Sequence, residues 1–131
     1  MTAETTLINA LLIEDDLIVQ RVHTMMLTKL GCKVEIAADG LSALKKVTDF
    51  AYDIIFVDIG LPDISGFEVI EKIKAINRNF SRNIPIIALT GYTGEQEKQD
   101  CKQAGASEVI YKPVLAQTMR AVLSTNLATI S

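Results

Sequence analysis

A chain of 131 residues, 49% of them hydrophobic, suits one compact domain with a single buried core. Its 13 basic and 16 acidic residues leave a net charge of -3 and are scattered rather than striped, which argues against direct binding to nucleic acid. No apolar run reaches the roughly 18–20 residues of a membrane span, and Met1 to Thr6 lack the basic start of a secretory signal; no membrane association and a cytoplasmic location are expected.

Residues 1–6 have no strong patterning and read as a flexible N-terminal tail. Leu7 to Ile13 is the first apolar run and reads as a strand. A helix follows, with Val19, Val22, Met26 and Leu30 as its apolar stripe and Gly31 as its stop. Cys32 to Ala37 is the second strand, and Leu41, Leu44 and Val47 mark the second helix. Tyr52 to Val57 is the third strand; the third helix starts near Ser65 and turns Val69, Ile70 and Ile73 inward. Ile84 to Leu89 is the fourth strand, followed by a helix from Thr93 to Ala104. Glu108 to Tyr111 is the fifth strand, and a last helix from about Pro113 carries Leu115, Met119 and Leu123. Residues 7–127 form the folded unit and 128–131 a C-terminal tail. Cys32 and Cys101 lack C-x-x-C spacing and read as packed, reduced thiols.

The third and fourth runs are apolar on both faces, as strands of a parallel sheet covered on both sides must be. Five alternations of strand and helix therefore predict an α/β fold, a doubly wound (βα)5 sandwich with a five-stranded parallel sheet and helices on both faces. In such sheets chemistry gathers at the carboxyl ends of the strands. Here those ends read Glu14-Asp15-Asp16, Ala37-Ala38, Asp58, Thr90 and Lys112-Pro113. Taken singly, each polar residue has a bland explanation: acids often cap the next helix, and Asp58 precedes the turn Gly60-Leu61-Pro62. Taken together on one rim, carboxylates that converge repel one another unless a cation compensates them. Hard oxygen ligands without a His or Cys cluster suit Mg²⁺ or Mn²⁺. A carboxylate beside such an ion can attack phosphorus, and Lys112 and the hydroxyl of Thr90 are the further groups that an acyl phosphate needs.

The stretches Leu-Leu-Ile-Glu-Asp-Asp at 11–16, Phe-Val-Asp-Ile-Gly-Leu-Pro-Asp-Ile-Ser-Gly at 56–66, Ile-Ile-Ala-Leu-Thr-Gly at 86–91, Ala-Gly-Ala at 104–106 and Tyr-Lys-Pro-Val at 111–114 resemble, in order and spacing, the receiver domains of bacterial response regulators and hybrid sensor kinases. The resemblance runs from about Leu7 to Asn126 and implies a flavodoxin-like sheet and a role in two-component signal transduction. It implies that Asp58 accepts a phosphoryl group from a phosphohistidine on a histidine kinase or histidine phosphotransfer protein. It further implies Mg²⁺ held by Glu14, Asp15, Asp58 and the Gly60 carbonyl, with Asp16 as a helix-start residue. Lys112 pairs with a phosphoryl oxygen, the Lys112–Pro113 bond is a candidate for the cis form, and Thr90 turns inward to carry the change to the fourth helix, fifth strand and fifth helix, a surface that also serves for homodimers.

One departure stands out. The aromatic residue that family members place three before the lysine is Val109 here, and Tyr111 is out of register for that role. The resemblance implies that the two positions that tune hydrolysis in the family are Gly60 and Tyr92 here; neither offers an amide or acid to orient water, so dephosphorylation is expected to be slow. The protein is thus read as a phosphoacceptor that assists its own phosphorylation rather than an enzyme with a separate substrate. The alternative is a degenerate receiver kept as an interaction module. A phosphatase of the haloacid dehalogenase type needs a second Asp at position 60, and His23 reads as a partly buried or solvated helix residue rather than a phosphocarrier. No output domain is expected after the fifth helix, and the pattern leans towards a hybrid kinase or phosphorelay component.

Overall fold

The computed structural model describes residues 7–91 and 94–127. The tails at 1–6 and 128–131, and the expectations for Tyr92 and Thr93, lie outside the described residues. Ten elements alternate: β1 (Ile8–Ile13), α1 (Leu17–Lys29), β2 (Cys32–Ala37), α2 (Gly40–Asp49), β3 (Ile54–Asp58), α3 (Gly66–Asn79), β4 (Ile86–Thr90), α4 (Glu95–Ala104), β5 (Glu108–Tyr111) and α5 (Ala116–Asn126). All pairings are parallel and the strand order is β2-β1-β3-β4-β5. The order reverses direction between β1 and β3, which makes the carboxyl ends of these two strands the switch point of the sheet.

Each strand feeds both faces, because successive side chains point to opposite sides. Leu11, Ile13, Ile55, Val57, Ile86 and Ala88 pack beneath α2, α3 and α4, while Leu12, Phe56, Ile87 and Leu89 meet α1 and α5 through Leu27, Met119 and Leu123. Every residue of β3 and β4 is buried. Cys32 and Cys101 are free and buried, and burial pushes both thiols up to about 11, so they stay protonated at neutral pH.

The helices start where side-chain caps allow. Asp16 accepts from the N–H groups of Ile18 and Val19 at 2.9 and 3.0 Å, which fixes it as the cap of α1. Asp39 caps α2 through Ser42, Ser65 caps α3 through Glu68, and Gly31 ends α1 with φ of 96°. Across the loop after β3, the carboxylate of Asp63 accepts from the N–H groups of Gly40 and Leu41 and clamps that loop to the start of α2.

Three predicted helix faces need correction. In α1 the buried positions are Gln20, His23 and Leu27, whereas Val22 is exposed and Val19, Met26 and Leu30 are only half-buried. Leu41 is exposed, and Gly40, Ala43 and Val47 form the inner face of α2. Leu115 is the exposed cap position of α5, whose inner face is Met119, Val122 and Leu123. In α1 and α2 the inward positions are taken by polar or small residues, Gln20, His23, Gly40 and Ala43, which apolar periodicity does not mark. The strand bounds differ by one or two residues, with Tyr52 before β3, Ile84 before β4, and Asp58 and Thr90 counted as the last residues of β3 and β4.

Candidate functional site

Sheet register assembles the site. Ile13 pairs with Val57, so the next residues, Glu14 and Asp58, emerge side by side. Asp58 pairs with Leu89, one short of Thr90, and Thr90 pairs with Tyr111, one short of Lys112. The backbone N–H of Lys112 donates to the Thr90 carbonyl at 2.8 Å, which ties these two strand ends together.

Three carboxylates converge: one oxygen each from Glu14, Asp15 and Asp58 lie within 4.8 Å of one another. Glu14 and Asp58 are buried and Asp15 is exposed. The Lys112 ammonium bridges the buried pair, with Nζ 3.0 Å from Glu14 Oε1 and 3.2 Å from Asp58 Oδ1. Asp58 Oδ1 also accepts from the Gly60 N–H at 3.2 Å, and Glu14 Oε2 from the Asp16 N–H at 3.2 Å. The Lys112–Pro113 peptide bond is cis.

The electrostatics follow from burial set against pairing. Burial raises the Glu14 carboxyl above its ordinary value; the Lys112 hydrogen bond opposes this and the Asp58 charge adds to it. Burial pulls Lys112 down, but the hydrogen bonds and charges of Glu14 and Asp58 together outweigh it and leave the ammonium strengthened. The three acids are an all-oxygen set with one open, exposed side, which fits a hard divalent cation that keeps some of its own water.

Several contributors could not be picked out beforehand. Gln20 is buried and its Nε2 donates to the Glu14 carbonyl at 2.6 Å, satisfying the strand end from α1. His23 is 4% exposed, a correction to its reading as partly buried or solvated. It lies beside a groove of about 350 Å³ shared with Ile18, Val22, Lys112 and Pro113. Burial lowers its pKa, the Lys112 charge lowers it further, and Asp58 opposes both. The Thr90 hydroxyl donates to the carboxylate of Glu97 in the first turn of α4. The single advance signal for Glu97 was an acid placed early in a helix, where acids are common. Gly66 sits against β3's exit: a Cβ there would lie 2.5 Å from Ile59 Cα, so the close approach of the loop to the start of α3 requires a residue without a side chain.

Fold and site define a class of parallel α/β proteins that hold an acidic centre, a threonine and a lysine on one rim of the sheet. The particular family follows from comparison: the response regulator receiver domain model matches residues 10–124, and the chain belongs to that family. It is 31% identical over 115 residues to the transcription factor SKN7 of Saccharomyces cerevisiae, an alignment covering 88% of this chain and 18% of that protein. It is 32% identical over 117 residues to hybrid signal transduction histidine kinase L of Dictyostelium discoideum, covering 86% of this chain and 7% of that one. The chain thus spans less than a fifth of the length of these relatives.

Among solved structures it resembles the receiver domain of sensor histidine kinase PA1611 from Pseudomonas aeruginosa, crystallised with a magnesium ion in its active-site cleft. The TM-score is 0.85 at 30% identity, covering 94% of this chain and 99% of that one. It also resembles the chemotaxis protein CheY4 of Vibrio cholerae, with a TM-score of 0.83 at 29% identity over 93% of this chain and 100% of the other. The chain is a receiver of two-component signal transduction whose acidic pocket fits the phosphoacceptor site, and the degenerate alternative is not favoured. No helix among the described residues is long and apolar enough to cross a membrane.

Proposed function

We propose that Asp58 is the phosphoacceptor of this receiver and that its donor is a phosphohistidine on a histidine kinase or histidine phosphotransfer protein. The observation that carries this reading is the Lys112 ammonium bridging Glu14 and Asp58 within a cluster of three acids. An Asp58 carboxylate oxygen attacks phosphorus while the P–N bond to the imidazole breaks and its electron pair returns to the ring. Lys112 neutralises charge on a phosphoryl oxygen, and the Thr90 hydroxyl donates to another. Glu14, Asp15, Asp58 and the Gly60 carbonyl would hold Mg²⁺ or Mn²⁺, which when bound offsets the negative charge of acceptor and phosphoryl group together.

The outer face of α1 supports a protein donor. Leu17, Ile18, Val22 and Met25 are exposed there, and Ile18 and Val22 border the groove beside Lys112 and Pro113. Clustered exposed apolar side chains next to a reactive centre are what a docking partner covers. The surface of α4, β5 and α5 presents polar groups such as Lys102, Gln103 and Arg120, and we propose it as the surface through which the chain forms a homodimer. Nothing on Gly60 orients an attacking water, in keeping with slow dephosphorylation and with assistance limited to the chain's own phosphoryl group.

Titration with fluoroberyllate and Mg²⁺, followed by amide NMR, tests the reading. Saturable shifts at the ends of β1, β3, β4 and β5 that vanish in Asp58→Asn are expected; shifts that persist in Asp58→Asn would overturn it.

A further inference from the structure

Val109 stands where the resemblance places an aromatic residue, which leaves open how this receiver transmits the state of Asp58. The hydroxyl of Thr90 instead meets Glu97, a half-buried residue in the first turn of α4. Glu97 is the third residue of that helix, where a glutamate ordinarily folds back towards the cap of its own helix. The cap here is Gly94, which has no side chain to complete such a box, and α4 has no side-chain cap bond. The Glu97 carboxylate is thus turned to the sheet rather than to its own helix.

The apolar anchoring of α4 is concentrated at its C-terminal end. Of its ten residues the fully buried ones are Cys101 and Ala104, both near its C-terminal end and both small. By contrast α3 buries Val69, Ile70, Ile73 and Asn77. The N-terminal turn of α4 therefore has little apolar area to anchor it, and elements of this kind occupy the low-stability end of a structure. Among the described residues, the contact from Glu97 to the end of β4 ties this turn to the reactive rim.

We propose that Glu97 is a positioning residue that couples α4 to Asp58 by competing with the phosphoryl group for the Thr90 hydroxyl. This rests on the reading of Asp58 as the phosphoacceptor. A hydroxyl has one proton to donate. A phosphoryl group on Asp58 adds close to two negative charges and three strong acceptor oxygens. It draws that proton inward and at the same time repels the Glu97 carboxylate, so donor loss and like-charge repulsion act in the same direction. The first turn of α4 is then released from the end of β4. The carboxylate here does the work that a rotating ring would otherwise do, with a change of hydrogen-bond partner in place of a change of rotamer.

The test is fluoroberyllate affinity with Mg²⁺ in the parent, Glu97→Ala, Glu97→Gln, Thr90→Val and the double variant Thr90→Val/Glu97→Ala. Removing the competitor should tighten binding about three- to tenfold in Glu97→Ala, the span expected of one partly solvated hydrogen bond to a charged acceptor. Glu97→Gln, which keeps an acceptor without the charge, should fall between parent and Glu97→Ala. The gain should disappear in the Thr90→Val background, because the two changes act through one bond. Amide shifts of α4 in Glu97→Ala without fluoroberyllate should move towards those of the bound parent. Unchanged or weaker binding in both Glu97 variants, or a gain that persists without the Thr90 hydroxyl, overturns the coupling alone. A parent that binds no fluoroberyllate overturns the reading of Asp58 and the coupling with it.

Discussion

Replacing Lys112 with Met removes the ammonium and keeps most of the stem volume, leaving Glu14 and Asp58 facing each other. Breaking a buried ion pair by deleting one partner costs about 3–5 kcal/mol. The Lys112 side chain is 24% exposed and touches both acids, so water recovers part of this and a loss of about 2–3 kcal/mol is expected at pH 7.5. With a urea slope of about 1–3 kcal/mol per molar, the unfolding midpoint should fall by roughly 0.7–3 M. The loss should also depend on pH in a set direction. Burial already raises the Glu14 carboxyl, and without the lysine the chief opposing influence is gone. The folded variant then binds a proton more readily than its unfolded chain does, so its stability rises as pH falls towards the folded pKa of Glu14. Urea unfolding at pH 7.5 and 5.5, with and without Mg²⁺, reads all of this: the deficit should shrink at pH 5.5 and shrink again with Mg²⁺. A Lys112→Met variant as stable as the parent at pH 7.5, or with a deficit insensitive to both pH and Mg²⁺, would refute the charge arrangement described.

Other outcomes follow from the same contacts. Burial lowers the pKa of His23, so the unfolded chain takes up its proton first; the contribution of this residue to stability is full above the ordinary value of about 6.5 and is lost as pH falls below it. His23→Gln should flatten the urea midpoint between about pH 5 and pH 8, values chosen to straddle the unfolded imidazole at about 6.5. Gly66→Ala should cost about 2 kcal/mol or more, read as a lowered thermal midpoint, because its Cβ would lie 2.5 Å from backbone at Ile59. Mg²⁺ at ten times its dissociation constant should raise stability by about 1.4 kcal/mol, an effect lost in Asp15→Asn with Asp58→Asn. Ile18→Glu should slow phosphoryl transfer from a phosphohistidine protein at least about tenfold, as loss of one apolar anchor does, while leaving labelling by acetyl phosphate unchanged.

The strands were legible because burial on both faces leaves a signature that no exposed segment mimics: Ile54–Val57 and Ile86–Leu89 are apolar without alternation. The site residues were legible for a related reason, since a charged group directly after such a run has nowhere to be but the rim. The inner face of α1 was not, because two of its three buried residues are Gln20 and His23, and a search for apolar periodicity passes over an amide that serves a strand-end carbonyl. Exposed Val22 misdirects the same search, since an apolar residue on the outer face of a helix looks like core in the sequence. Contacts such as Asp63 to Gly40, or Thr90 to Glu97, depend on where a loop or a helix start falls in space. Each joins residues of different elements or loops, so pattern reading within one element has no purchase on them.

Incubation with acetyl phosphate and Mg²⁺, read by intact mass, tests the central claim most directly. One phosphoryl group per chain is predicted, labile to mild base as an acyl phosphate and absent from Asp58→Asn. Labelling that survives in Asp58→Asn, or that resists base, would contradict the assignment of Asp58.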